Sequence, residues 1–296
     1  VKGIGLIINV YTKPGDKVII QPPVYHPFRL TPEGNGREVV FNPLKLRDDG
    51  YYDMDFDNLE KVCDDKCRIF ILCNPHNPAG MCWKKETLQK LADFCYDHHL
   101  LVISDEIHCD MAIFGHKHIP FATVSEKARE NSITFQAPTK TFNIAGIISS
   151  YAIIPNSDIR KKFYGWVNAN ELDEANIFAP IATIAAFTKG EEWRKAMLAY
   201  IEDNVRFIED YCEKNIPQIH PLRPQASFLV WLNCRELNLD HKDLLDLFID
   251  KAHLALNDGE MFGQGGEGFM RMNIATPRSV IKQALDQLAT AVNNLK

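Results

Sequence analysis

The stretch RIFILCNPHNPAG, residues 68–80, sets a run of apolar residues directly before two Asn-Pro pairs. Proline lacks a backbone N–H and restricts the residue before it, so RIFILC at 68–73 predicts a strand that stops near Asn74. Taken alone, CNPHNPAG at 73–80 also fits a plain turn between two elements. The stretch therefore predicts a buried strand that ends in a polar turn.

Similar apolar segments, rich in β-branched residues, lie on both sides of this strand. They are KVIIQ (17–21), REVVFNP (37–43), LVIS (101–104), SITFQ (132–136) and SSYAII (149–154). Between two of them, KETLQKLADFCYDHH at 85–99 places apolar residues at the three-and-four spacing of a helix. Short apolar strands that alternate with helices predict an α/β fold with a mostly parallel sheet covered on both faces.

The pattern changes after about residue 155, where long helices dominate. Residues 191–215 keep a helical period without Gly or Pro, and Pro217 follows. The remaining segments read as a strand at 227–232, a helix at 241–251, a strand at 268–274 and a last helix after Pro277. We predict a large domain at 1–195 and a smaller C-terminal α+β domain at 196–296.

Composition excludes several classes of protein. With 46% hydrophobic and 24% charged residues the chain reads as globular, and its net charge of −6 disfavours nucleic acid or an anionic membrane as a partner. Apolar runs such as GIGLIINV at 3–10 are too short to span a bilayer, and no secretory signal is visible. Eight cysteines without a CxxC pair favour free thiols over a disulfide framework or a metal site, and hence a cytoplasmic location.

Two further polar stretches follow predicted strands. ISDEIHCD at 103–110 puts an acidic pair and His108 where open α/β sheets bind ligands; no second cluster accompanies it, HKH at 116–118 reads as an isolated loop, and we predict no metal. In QAPTKTFNIAG at 136–146, Lys140 stands among small residues. It is either a surface lysine or a desolvated amine of the kind that bonds carbonyl groups.

The last unusual residue is Arg271, in the otherwise apolar strand of GFMRMNIATP at 268–277. A guanidinium at such a position is costly unless it is paired, and its planar fork fits a carboxylate. The pattern leaves two readings open: an Arg–Asp bridge at the edge of the core, or a clamp for a substrate carboxylate.

In this order, the four stretches resemble fold-type I pyridoxal phosphate enzymes of the aminotransferase superfamily. More narrowly, they are similar to the MalY/PatB branch, which is known for cystathionine β-lyase-type C–S lyases. The segments that carry the resemblance are PPVYHPF (22–28), NPHNPAG (74–80), SDEIHCD (104–110), APTKTFNIAG (137–146), ANELDEANIFA (169–179) and GEGFMRMNIATPRS (266–279). The resemblance implies the fold of type I pyridoxal phosphate-dependent transferases.

The resemblance also implies how pyridoxal 5'-phosphate would be held. Lys140 would bond the cofactor aldehyde and move the Cα proton, and Asp105 would keep the pyridine nitrogen protonated. Asn77 and His108 would serve the phenolate oxygen of the ring, and Thr139 would contact the phosphate.

For the substrate, the family pattern implies an amino acid, bound as a small-molecule partner. Arg271 would clamp its α-carboxylate. Tyr25 would lie over the cofactor ring, and both Tyr25 and Asn77 would contact the substrate. Relatives of this kind are homodimers with active sites at the subunit interface. They are longer at the N-terminus, so we expect that the chain, which opens at Val1, lacks the N-terminal part of the small domain and most of the phosphate-binding turn.

These implications predict a lyase that cleaves cysteine thioethers such as cystathionine to thiol, pyruvate and ammonia. An aminotransferase would use the same residues, and the motifs do not separate the two reactions. A third possibility is a regulatory or interaction protein that binds the cofactor without relying on catalysis.

Overall fold

A computed structural model describes residues 1–174 and 176–295; Ala175 of the ANELDEANIFA segment and Lys296, the last residue of the predicted second domain, lie outside it. The strands are β1 Lys17–Ile20, β2 Glu38–Phe41, β3 Lys45–Leu46, β4 Tyr52–Asp53, β5 Cys67–Cys73, β6 Leu101–Asp105, β7 Ser132–Gln136, β8 Tyr151–Ile153, β9 His220–Leu222, β10 Leu229–Asn233, β11 Asn257–Asp258 and β12 Phe269–Asn273. The helices are α1 Lys2–Tyr11, α2 Pro27–Gly34, α3 Phe56–Val62, α4 Lys85–Asp97, α5 Glu126–Glu130, α6 Pro138–Thr141, α7 Ser157–Ala169, α8 Phe178–Lys189, α9 Glu191–Asn215, α10 His241–Asp246 and α11 Arg278–Asn293.

The larger sheet has six strands in the order β2-β1-β5-β6-β7-β8. All neighbouring pairs are parallel except β7 and β8. This confirms the predicted α/β class with a mostly parallel sheet. The strand predicted at 149–154 runs antiparallel because the chain returns along 137–150 at the same edge, without a helix that crosses the sheet.

Alternate residues of β5 supply two different apolar cores. Phe70 and Leu72 belong to a cluster that includes the buried residues of α4, whereas Ile69 and Ile71 belong to one that includes α1 and α7 residues. Successive side chains of a strand point to opposite faces, so a sheet covered by helices on both faces needs apolar residues at every position. This explains the uninterrupted apolar run at 69–73.

A second, antiparallel sheet has the order β11-β12-β10-β9. Helix α9 has the bounds predicted from its period, and its buried residues pack with those of α11 against one face of this sheet. Trp231 on the other face belongs to the core of the larger sheet and donates from Nε1 to Tyr52 Oη at 3.1 Å. The two sheets are therefore joined through a shared core.

Local structure adds detail to the sequence expectations. The apolar segment at the start forms α1, and α2 begins at Pro27, a proline position that suits a first helical turn. The helix expected over 241–251 is α10 followed by a π-helical turn, Leu247–Lys251. Among the described helices, none has both the length and the apolar character needed to cross a membrane.

Candidate active site

The ends of three parallel strands bring the polar stretches together. Cys73 at the end of β5 is in register with Asp105 at the end of β6, and Asp105 is in register with Phe135 on β7. The N–H of Asn74 donates to the Asp105 carbonyl at 3.0 Å, and that of Glu106 donates to the Phe135 carbonyl at 2.8 Å. The stretches at 74–80, 105–110 and 137–146 consequently share one edge of the sheet, as ligand-binding residues do in open α/β folds.

Asp105 is a carboxyl group in a site that disfavours its negative charge. Burial raises the pKa of Asp105, the adjacent Glu106 carboxylate adds to this, and the Lys140 ammonium opposes it. Its Oδ1 accepts from the N–H of Ile107 at 3.2 Å. A cation placed against Asp105 would therefore lower its pKa and stabilise the ionised form.

Lys140 is held by a short helix directly after the next strand end. Pro138 occupies the first turn of α6, and Thr139 and Thr141 on either side of Lys140 are buried. The half-buried Lys140 forms no ion pair with any carboxylate that the structure describes. An amine in that position is available to a carbonyl group.

Arg271 reaches across from β12 to the turn after β5. Its Nη1 donates to Asn77 Oδ1 at 2.8 Å and its Nη2 donates to Asn257 Oδ1 at 2.7 Å. Both partners are neutral amides, so the Arg–Asp bridge considered from the sequence is not present in the part of the chain that the structure describes. Burial lowers the pKa of Arg271 to about 10, and its Nε is buried without a partner among the described residues. A buried guanidinium is normally paired with an anion, and the described residues supply none to Arg271.

His108 and Tyr25 complete the surroundings of these charges. Burial lowers the pKa of His108 to about 3, with Lys140 and Arg271 adding to the effect, so His108 is neutral at physiological pH. Burial also raises the pKa of Tyr25. The Asp105 carboxylate adds to this increase, and the Arg271 guanidinium opposes it. Both side chains therefore lie within electrostatic reach of the residues that carry charge.

The side chains suit a pyridoxal phosphate ring. Burial disfavours the charge of the Asp105 carboxylate, so this side chain suits a ring nitrogen that stays protonated and supplies a positive charge. The Lys140 amine, which pairs with no described carboxylate, suits the aldehyde. His108 Nδ1 is buried and has no partner in the described chain, as expected if a polar group of a ligand pairs with this ring. Thr139 is buried beside Lys140, and both line a cavity of about 540 Å³.

One buried acid of the pair noted in ISDEIHCD received no role of its own from the sequence. Glu106 is 0% exposed and accepts hydrogen bonds from Ser104 Oγ at 2.9 Å, the Phe121 N–H at 2.8 Å and Gln136 Nε2 at 3.2 Å. His118 Nε2 lies 2.8 Å from its Oε2. Residues 116–118 lie in a loop, as expected, but the expectation that this loop is isolated is wrong, because His118 closes the network around Glu106. An acid directly after a strand is the one local signal that pointed to it.

Comparison with known proteins places this geometry in context. Residues 2–288 match the model of the family described as aminotransferase class I and II. The chain is 40% identical over 294 residues to cystathionine beta-lyase PatB of Bacillus subtilis (strain 168), covering 99% of this chain and 76% of PatB. MalY of Escherichia coli (strain K12) is 33% identical over 292 residues, with 98% and 74% covered. The crystal structure of cystalysin from Treponema denticola, which contains pyridoxal 5'-phosphate, has a TM-score of 0.95 and 37% identity, with 99% and 75% covered.

Proposed function

The chain belongs to the class I and II aminotransferase family, with PatB and MalY among its relatives, and we propose that it is a pyridoxal phosphate-dependent C–S β-lyase. Its substrates are cysteine thioethers such as cystathionine, and its products are a thiol, pyruvate and ammonia. The observation that carries the proposal is that Asp105, at the end of β6, and Lys140, just after the neighbouring strand β7, share one edge of the sheet in a chain 40% identical to a cystathionine β-lyase.

The cofactor-holding residues divide the work between covalent and polar contacts. Pyridoxal phosphate supplies an electron-accepting ring that stabilises negative charge at the substrate Cα. We assign Lys140 as the amine that bonds its aldehyde, Asp105 as the partner of its ring nitrogen, and Asn77 and His108 as partners of its phenolate oxygen. Thr139, buried beside Lys140, is assigned to the phosphate.

Arg271 and Lys140 then act on the substrate itself. The Arg271 guanidinium binds the α-carboxylate, an anion that its two neutral amide partners do not supply. Holding the carboxylate fixes the direction of the Cα–H bond, and the Lys140 amine takes the proton from Cα. Tyr25, close to Asp105 and Arg271, covers the reacting atoms. Asn77 remains beside the bound carboxylate through its contact with Arg271.

The decisive experiment is incubation of the protein, loaded with pyridoxal phosphate, with L-cystathionine and no keto acid. We expect free thiol and pyruvate to appear in equal amounts. An aminotransferase would form neither product at a comparable rate and would turn over only after a keto acid is added. A regulatory protein would bind the cofactor and give no product in either assay.

We further propose that the protein is a homodimer with C2 symmetry. An apolar surface, here called the α8 patch, consists of Ile177, Phe178, Ile181 and Ile184, which are 74%, 67%, 64% and 63% exposed, together with Ile148. A contiguous apolar surface of this kind marks an association site, and a second copy of the chain supplies an identical surface to cover it. The patch includes Ile177 and Phe178 of the ANELDEANIFA segment, and α8 contacts α6, the helix that carries Lys140, so the proposed interface lies close to the site.

Two smaller proposals concern location and domain organisation. We place the protein in the cytoplasm, because its eight cysteines are free and a reducing compartment keeps them so.

We place the boundary between the large and small domains at 195/196, within α9, which is continuous over Glu191–Asn215. Limited proteolysis that leaves α9 intact would fit a boundary carried by a rigid helix.

A further inference from the structure

Lys140 and Thr139 lie on the wall of a cavity of about 540 Å³, and its lining does not include the other residues assigned to the cofactor and the carboxylate, Tyr25, Asn77, Asp105, His108 and Arg271. Its apolar wall is formed by Met111, Trp193, Met197, Tyr200, Ile201 and Phe228. A volume of this size lies within the range of about 300–1,000 Å³ that small-molecule sites occupy in proteins. The cavity is thus large enough to receive a group attached to a substrate that is bonded at Lys140.

Geometry connects the cavity to the carboxylate clamp. Arg271 and the cavity residue Asn273 are two positions apart on β12 and lie on the same face, while Met270 and Met272 are buried on the other. Two residues of a strand span roughly 7 Å. A short substrate side chain could therefore extend from a carboxylate held at Arg271 to the cavity at Asn273. Phe228, directly before the neighbouring strand β10, also lines the cavity, and its ring lies 5.8 Å from the ring of His108, which is assigned to the cofactor.

The charges on the wall decide which group fits. Of the described residues that line the cavity, Lys140 alone is charged, and it is assigned to the cofactor and the Cα proton. A group with its own ammonium and carboxylate would leave water without ionic partners, which is costly. A neutral, apolar group would gain from contact with the methionine and aromatic side chains.

We propose that this cavity is the leaving-group subsite, and that the enzyme prefers cysteine thioethers with a neutral apolar substituent on sulfur to cystathionine. This inference rests on the proposed lyase function and narrows its substrate class. The α-carboxylate lies at Arg271, Cα lies at Lys140, and the sulfur substituent extends past Asn273 towards Trp193 and Met197. The thiolate expelled from Cβ leaves through the same space and takes up a proton.

A substrate series tests the subsite on the protein loaded with cofactor. We expect kcat/KM for pyruvate formation to rise by at least about tenfold from S-methyl- to S-butyl-L-cysteine, because each methylene gains apolar contact. The kcat/KM for L-cystathionine should be at least about tenfold lower than that for S-butyl-L-cysteine. Equal values for the three substrates, or a preference for cystathionine, would overturn the subsite and leave the lyase function standing.

A matched pair of variants locates the effect. Ala275→Trp fills the cavity and should lower kcat/KM for S-benzyl-L-cysteine by at least about tenfold while S-methyl-L-cysteine changes by less than about twofold. Ala196→Trp places the same side chain on an exposed position of α9 outside the cavity and should change neither substrate. The same loss in both variants would refute the assignment.

Binding gives a readout that does not depend on turnover. In the Lys140→Ala protein, S-butyl-L-cysteine should change the fluorescence of Trp193 on the cavity wall, and Trp193→Phe should abolish the change. If no thioether yields pyruvate, the proposed lyase function fails. In that case a Trp193 response that grows with substituent length still supports the subsite, and the lack of any response rejects it.

Discussion

Arg271 on the antiparallel sheet donates from Nη1 to Oδ1 of Asn77 in the turn after β5, at 2.8 Å. This contact joins residues 194 positions apart, one on the antiparallel sheet and one in the turn that follows β5 of the larger sheet. It sets the guanidinium, which we assign to the substrate, beside an amide that we assign to the cofactor. Substrate binding and cofactor orientation are therefore coupled through one hydrogen bond.

The first prediction concerns Arg271→Lys. The ammonium keeps the charge but loses the paired geometry, so kcat/KM for cysteine thioethers should fall by roughly 2–4 kcal/mol in transition-state stabilisation. Cofactor affinity, followed by absorbance, should stay unchanged. Arg129→Lys, at an exposed arginine paired with Glu126, is the control. Loss of the cofactor in Arg271→Lys would make Arg271 a structural residue.

Lys140→Ala should abolish both activity and the covalent bond to pyridoxal phosphate. Borohydride treatment followed by mass spectrometry should show a cofactor adduct in the parent protein and none in the variant. Lys117→Ala, at an exposed lysine, should retain the adduct. An adduct that persists in Lys140→Ala would assign the covalent role to another lysine. Circular dichroism checks that the fold is kept.

Asp105→Asn should have opposite effects on activity and on stability. Turnover should drop by roughly 4 kcal/mol or more, because the amide cannot keep the ring nitrogen protonated. The raised pKa of Asp105 means that its contribution to stability is present below the usual carboxyl pKa and is lost as the pH rises. At neutral pH the cofactor-free variant should therefore melt at a higher temperature than the parent. A lower melting temperature would contradict this sign.

Acid should destabilise the protein through two buried histidines. Burial lowers the pKa of His76 to about 4 and that of His108 to about 3, from a usual value of 6.5. A lowered pKa gives stability that is complete above pH 6.5 and is lost as the pH falls towards those values. Each histidine should cost roughly 2 kcal/mol of unfolding free energy between pH 7 and pH 5.

Urea unfolding at the two pH values measures this loss. His76→Gln should reduce the difference in unfolding free energy between pH 7 and pH 5 by about half, since one of two histidines is removed. His116→Gln, at an exposed residue, should leave the difference as it is. An unchanged difference in His76→Gln would show that other groups bind the protons.

Ile181→Asp tests the dimer. It places a carboxylate in the α8 patch, where a second copy would bury it without a partner, and the mass measured by light scattering should fall by half. Ile249→Asp makes the same substitution at an isoleucine that is 50% exposed in the π-helical turn, and should remain dimeric. A parent protein that is monomeric at micromolar concentration would reject the proposal.

Sequence reasoning succeeded where a local pattern is tied to burial. The strand at 68–73 and helix α9 were predicted with bounds within one residue, because the periods of a fully buried strand and a long amphipathic helix are strong. Four polar stretches at strand ends then gave the candidate site residues. Their roles come from the family resemblance, since spacing alone left a plain turn, a surface lysine and an Arg–Asp bridge as alternatives.

The rest depended on contacts between distant parts of the chain. No local pattern shows that Asn77 and Asn257 become the partners of Arg271, or that His118 meets Glu106, because each pair is assembled by the packing of different elements. The direction of β8 likewise depends on where the chain returns to the sheet, not on the apolar content of residues 149–154. Tertiary structure determines these features.

The strand order β2-β1-β5-β6-β7-β8 has a consequence for synthesis on the ribosome. Chains fold from the N-terminal end as they emerge, and here Asn77, Asp105 and Lys140 all leave the ribosome well before Arg271. A nascent chain thus presents the groups assigned to the cofactor while the antiparallel sheet is still being translated. The Arg271 clamp can form only after them, so during synthesis the residues assigned to the cofactor precede the residue assigned to the substrate carboxylate.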